Sequence, residues 1–180
     1  MAPTRPLAQG VPIDPWKLIA AAEELAKHKG GKGRPRPIWL RRAVSTAYYA
    51  LYHGLTRATA EHLLPNGSRE DQLKITRLLR HNGVKGVCAQ IASRRGAKSN
   101  QYIDPIALRL RKTPLLDVAT VFCDLQEARH KADYDHLEPF SKQATVGLVA
   151  DAKKALDTLQ SAPQADREQF LALLAMSLRG

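Results

Sequence analysis

IWLRRAVSTAYYALYHGLTRATAEHLL, residues 38–64, is the longest and clearest helical pattern in the chain. Leu40, Val44, Ala47, Tyr48, Leu51 and Leu55 recur at steps of three and four, which at about 3.6 residues per turn marks one continuous apolar face. Tyr48 and Tyr52, four apart, read as core residues whose hydroxyls must each reach a partner. A second stripe runs through Arg42, Thr46, Tyr49 and His53. It is polar without being merely charged, so it suits the border of a cleft as well as it suits bulk water.

Outward from this helix the chain keeps the same character. Asp14 followed by Pro15 offers an N-cap acceptor and a residue tolerated at the first helical position, opening WKLIAAAEELAKHK up to Gly30 and Gly31. Pro65, Asn66 and Gly67 end the long helix, and Ser68 with Asp71 forms a capping box that starts DQLKITRLLRH. From Asn82 to Lys112 glycines and Pro105 interrupt short apolar runs, predicting a small helix near Val84–Ala92 and a basic loop beyond. A helix over Thr113–His136 follows, then one over Ser141–Gln160, then a last one introduced by Pro163 and Asp166. Sustained strand alternation and internal repeats are absent. The predicted fold is all-α, an antiparallel up-and-down helical bundle of four core helices with an inserted irregular segment and a C-terminal helix. Residues 1–12 read as a mobile tail and 13–180 as a single helical domain.

Composition narrows the function classes. No apolar run approaches the roughly 20 residues needed to span a bilayer, and MAPTRPLAQGVPIDP lacks the apolar core of a signal peptide, so a cytoplasmic protein with no membrane partner is expected. Cys88 and Cys123 are isolated, and the six histidines show no metal-ligand spacing; neither a metal nor a cofactor is expected. GAKS lacks the spacing of a phosphate loop. Lysine plus arginine exceed aspartate plus glutamate by 28 to 17, a net +11, which points to a polyanion or, alternatively, to a solvated basic surface. The excess lies in HKGGKGRPRP with Arg41 and Arg42, in Lys74–Lys85, in SRRGAK and in Arg109–Lys112.

The 113–136 segment poses the sharpest question. Leu115, Val118, Phe122 and Leu125 define an apolar face, and a continued helix places Arg129 and His136 inside the same arc with Asp133 at its edge. Desolvating such groups costs several kcal/mol unless they are paired or wet. Either the helix frays near Ala132 and its polar residues close the exposed C-terminus, or its last two turns line a cleft that uses an arginine and a histidine together.

RRAVSTAYYALYHGL and EARHKADYDH, on long helices in this order, resemble the HEPN superfamily, in particular its prokaryotic branch with an Ala-Tyr-Tyr-Ala helix and an Arg-x-x-Ala-Asp-Tyr motif. Here that motif is Arg129, Ala132, Asp133 and Tyr134, and six residues separate Arg129 from His136, as in the superfamily's nuclease signature. The resemblance covers roughly residues 13–161, with Gly83–Lys112 unmatched. It implies a metal-independent endoribonuclease that acts as a homodimer, of the kind used as toxins in toxin–antitoxin or defence systems and restrained by an antitoxin or other inhibitory protein. Arg129 and His136 are then the catalytic pair, Asp133, Tyr134 and His130 support them, and Arg42, Tyr49 and His53 line an RNA-binding cleft. His130 stands where many catalytic members carry a polar residue such as asparagine, and no tyrosine follows His136 by two residues, which implies no control by adenylylation. The alternatives are a non-catalytic dimeric module of the same kind that binds RNA or a protein partner, and a basic all-α protein unrelated to RNA.

Overall fold

The computed structural model describes residues 13–28, 37–93, 101 and 103–177. They form eight helices and no strand: α1 (Pro15–Lys27), α2 (Pro37–Leu63), α3 (Arg69–Leu78), α4 (His81–Ile91), α5 (Asp104–Leu110), α6 (Leu115–Tyr134), α7 (Lys142–Ser161) and α8 (Gln164–Met176). The all-α bundle is as expected. The tail at 1–12, the linker around Gly30–Arg36 and the basic loop at 94–100 lie outside the described residues.

The predicted helix starts hold because their caps do. Asp14 accepts from the Trp16 amide, Ser68 from that of Asp71 and Ser141 from that of Ala144, each satisfying one of the amides a first turn leaves unbonded. α5 is an element the sequence reading missed. It begins on an Asp–Pro pair like that before α1, but with Asp104 already inside the helix, Ile103 at the cap position and no side-chain cap; Ala107 and Leu110 are buried.

α2 is the axis of the molecule. It packs against α1, α3, α6, α7 and α8, while α1–α7 and α6–α7 contacts close a four-helix core of α1, α2, α6 and α7. Being surrounded, it buries far more than one stripe: Ala43, Ser45, Ala50, Tyr52, Thr56, Thr59 and Ala60 are covered as well as the predicted face. Small residues make this possible. At Gly54 an added Cβ would lie 2.2 Å from Leu156 Cδ2, so α2 and α7 approach at a distance that only glycine permits without moving that leucine. What α2 leaves open is the stripe Arg42, Thr46, Tyr49 and His53, of which Arg42 is exposed and the others half-buried.

α6 buries Leu115, Val118, Ala119, Phe122, Cys123 and Leu125 against α2, α4 and α7. It does not run to His136. Asp135 turns extended at φ −96°, ψ 100°, and its carboxylate accepts from the Leu137 amide, so His136 lies on an exposed turn past the helix and the expected two-turn register with Arg129 is not formed. The cause is remote in sequence. Arg41 of α2 donates from Nη1 to the carbonyls of Lys131, Ala132 and Asp135, and from Nη2 to that of Glu138, with its guanidinium 5.4 Å from the centre of the Phe140 ring. A helix leaves its last four carbonyls unbonded; one planar fork here takes up two of them, those of Lys131 and Ala132, and holds the reversing chain through those of Asp135 and Glu138. The α6 end is thus closed neither by its own basic residues nor by fraying. Arg111 does the same for α4, donating to Gln90 and Ile91 carbonyls. Two members of the basic clusters assigned to a polyanion are therefore aimed at helix ends.

Among the described residues no helix is long and apolar enough to cross a membrane.

Candidate functional site

The charged continuation of the α6 stripe is a paired, half-buried group. Arg129 Nε lies 2.6 Å from Asp133 Oδ2, one turn away, with the two side chains only 25% and 21% exposed. The N–H is misaligned with that oxygen, so the contact is a charge pair without a directed hydrogen bond. Asp133 is fixed from the other side by Ser45, whose hydroxyl donates to Oδ1 at 2.6 Å. Arg129 Nη2 donates to the Tyr49 hydroxyl at 3.1 Å, and its guanidinium carbon lies 5.9, 5.6 and 5.6 Å from the ring centres of Tyr48, Tyr49 and Tyr134. Burial works against this charge, but Tyr49, Asp133 and Tyr134 outweigh it and hold the guanidinium above its usual range. The desolvation problem raised by the sequence is met by a carboxylate, a hydroxyl and three aromatic rings.

Beside this cation lies an aromatic and imidazole cluster built by α2 and the first residue of α4. His81 stacks on Tyr52 at 3.8 Å between ring centres and 16° between planes, and its Nδ1 is 2.6 Å from the Tyr48 hydroxyl. Tyr52 donates its own hydroxyl to the Leu79 carbonyl, so both core tyrosines reach partners as expected. Tyr49 meets His81 edge-on at 5.9 Å and lies stacked toward His53 at 6.2 Å, 26° between planes; Tyr52 lies edge-on 5.4 Å from His53. Burial first, and a cationic neighbour second, push both imidazoles below the ordinary histidine value: His81 faces Arg129, and His53 faces His81. Burial also pushes the Tyr48 and Tyr52 hydroxyls up, so both remain protonated at neutral pH.

These shifts fix a pH dependence. The unfolded chain takes up protons near the ordinary histidine value of about 6.5, the folded chain only below it. In the window between, the unfolded state binds more protons, so stability is complete above that value and is lost as pH falls through it toward the depressed folded values. Thermal melts from neutral to mildly acid pH should show the loss, and His53→Gln should flatten it. An unchanged slope in that variant would mean that His53 does not titrate differently on folding.

The predicted site residues divide. Arg129, Asp133, Tyr134, Tyr49 and His53 come together. Arg42 is exposed, its carbonyl accepting from Thr46. His130 is exposed, its ring 5.1 Å from Tyr134. His136 is exposed on its turn, and among the described residues nothing joins it to Arg129. Three participants were missed, namely Ser45, Arg41 and His81. Ser45 and Arg41 lie close to Arg42 on a helix already singled out, while His81 had no local signal beyond standing within the basic run Lys74–Lys85.

Among the described residues no three of His, Cys, Asp and Glu are placed to hold a metal ion. A cleft of about 510 Å³ between α1, α2, α7 and α8 lies away from Arg129. Its charged groups serve the fold: Arg57 pairs with Glu61, Asp14 caps α1, and Arg167 donates to the Gln160 carbonyl. Comparison of the chain with family models, with curated proteins and with solved structures returns no match.

Proposed function

We propose that the protein is a metal-independent endoribonuclease of the HEPN type, cleaving single-stranded RNA at Arg129 and acting as a toxin of a toxin–antitoxin or defence system. The observation that carries this reading is the Arg129 assembly: a guanidinium held charged, half-buried and fixed by Asp133, Tyr49 and, through Asp133, Ser45. A preorganised cation of this kind suits the charge that builds on phosphoryl oxygens when an RNA 2′-hydroxyl attacks its own phosphate. Half-buried Tyr49 offers a stacking face for a base, and the +11 chain supplies long-range attraction to the backbone. Tyr134 and Leu137, 62% and 92% exposed beside the site, give an apolar rim for a second copy or for an inhibitory protein.

A second reading, a non-catalytic module that binds RNA or a protein, draws on the position of His136, which does not approach Arg129 within one chain. Incubation with end-labelled single-stranded RNA in the presence of a chelator separates the two. The nuclease reading expects fragments ending in 2′,3′-cyclic phosphate and 5′-hydroxyl; binding without cleavage leaves the second reading. In either case the affinity should drop steeply with added salt as phosphate counterions are no longer released to advantage. A flat salt profile would remove RNA as the partner altogether.

A further inference from the structure

We infer that His81 of α4 is a fixed hydrogen-bond donor to RNA beside Arg129, its Nε2–H meeting the same phosphodiester as the guanidinium. The inference rests on RNA as the ligand of this site, whether or not the RNA is cut, and it leaves proton transfer to other groups. The core sets the tautomer. Tyr48 is 1% exposed, and its hydroxyl proton has one acceptor among the described residues, His81 Nδ1 at 2.6 Å. A buried hydroxyl left without an acceptor is costly, so Nδ1 accepts and the imidazole hydrogen sits on Nε2. The ring is held in place by its stack on Tyr52. Nε2 has no hydrogen-bond partner among the described residues and is not sealed from solvent. One nitrogen is thus tied to the core, and the other keeps a hydrogen to give.

The cation is a close neighbour. Arg129 and His81 flank the same two rings: the guanidinium carbon lies 5.9 and 5.6 Å from the Tyr48 and Tyr49 ring centres, the imidazole centre 5.7 and 5.9 Å. Burial, and after it the Arg129 charge, hold His81 below the ordinary histidine value, so at neutral pH the donor is an uncharged imidazole. The Tyr49 hydroxyl accepts from Arg129 Nη2 and keeps its own proton to donate. Both Asp133 oxygens are engaged, one with Arg129 Nε and one with Ser45, whereas Arg129 Nη1 has no partner among the described residues. Three donors therefore border the Tyr49 ring, and the carboxylate nearest them is taken. Such a set suits a phosphodiester, which only accepts, better than a base edge, which also donates.

Binding of a single-stranded 2′-O-methyl RNA, which lacks the attacking hydroxyl, isolates this role in the full chain. Asparagine at position 81 keeps a polar atom near Nδ1 for Tyr48 and has nothing at Nε2; glutamine places an amide N–H near Nε2. His81→Asn should bind about 10-fold more weakly with a melting temperature near wild type, and His81→Gln should recover most of the loss. The nitrogen-15 spectrum of the wild-type imidazole, which needs no variant, should show Nε2 protonated at neutral pH and its resonance displaced by the RNA. With an all-ribose RNA at saturation, single-turnover cleavage by His81→Asn should keep the wild-type pH profile, because His81 does not carry the proton. Wild-type affinity in His81→Asn, a folded His81→Gln that binds no better than His81→Asn, a neutral imidazole protonated on Nδ1, or a lost limb of that pH profile would each overturn the assignment while leaving RNA binding by the chain intact. A wild type that shows the binding pattern yet does not cut the all-ribose RNA supports the assignment and removes the nuclease. A wild type that binds neither RNA overturns both.

Discussion

On the proposed nuclease reading, Arg129→Ala should lower RNA cleavage by about 10²–10³-fold, the loss typical of removing one preorganised group that meets developing charge. The rate falls for two reasons. The phosphate loses its fixed cation, and Asp133, now held only by Ser45, becomes an unneutralised carboxylate facing an incoming polyanion. Arg129→Lys separates the two effects. Lysine keeps a charge for Asp133 but is a point cation without the planar fork that reaches Tyr49 and a phosphate together, so binding should return more fully than rate. Single-turnover rates measured beside equilibrium affinities make the distinction; a lysine variant as fast as wild type would show that charge alone suffices at this position.

Arg41→Ala is expected to produce the largest change in stability. Its guanidinium donates four hydrogen bonds to the carbonyls at and beyond the α6 terminus, spanning up to 97 residues of sequence. Charge-assisted bonds contribute about 1.5–3 kcal/mol each when measured singly, but they are not additive and part of this fork is wet, so a total of about 2–3 kcal/mol is expected. For a chain of this size that corresponds to a fall of about 5–10 °C in melting temperature. The loss should be local as well as global. Amide exchange should accelerate in the last turn of α6, and because Asp133 lies in that turn, the Arg129 pair should loosen and cleavage fall with it. Arg41→Lys should recover only part, since an ammonium cannot spread over four diverging oxygens. Fast exchange in the wild type itself over residues 131–135 would mean that the cap is not formed in solution.

Much of this molecule was readable from residue spacing. Ser68 with Asp71, Asp14 with Pro15, and the three- and four-residue steps from Leu40 to Leu55 gave α3, α1 and α2, because capping and periodicity are properties of neighbouring residues. Arg129 and Asp133 were legible for the same reason: four residues apart on one helix, they sit on adjacent turns wherever that helix packs. The segment 83–112 was less clear because Gly83, Gly86, Gly96 and Pro105 interrupt its apolar runs and because the buried Ala107 and Leu110 of α5 are too few to set a period. His81 was opaque for a different reason. Nothing in LLRHNG tells that its ring will stack on a tyrosine from a helix ending 18 residues earlier.

The sequence by itself thus determined an all-helical chain, the inward faces of its main helices, and a cation–carboxylate pair at the end of a core stripe. Only the tertiary structure decided where α6 stops and which histidine stands by that pair. The reason is physical: helix periodicity fixes side chains relative to their own axis, whereas convergence depends on how axes dock and rotate against one another. The docking of α2 on α6 brings Arg41 to the carbonyls that end α6 and removes His136 from the Arg129 face; the seating of α4 on the same core puts His81 there instead.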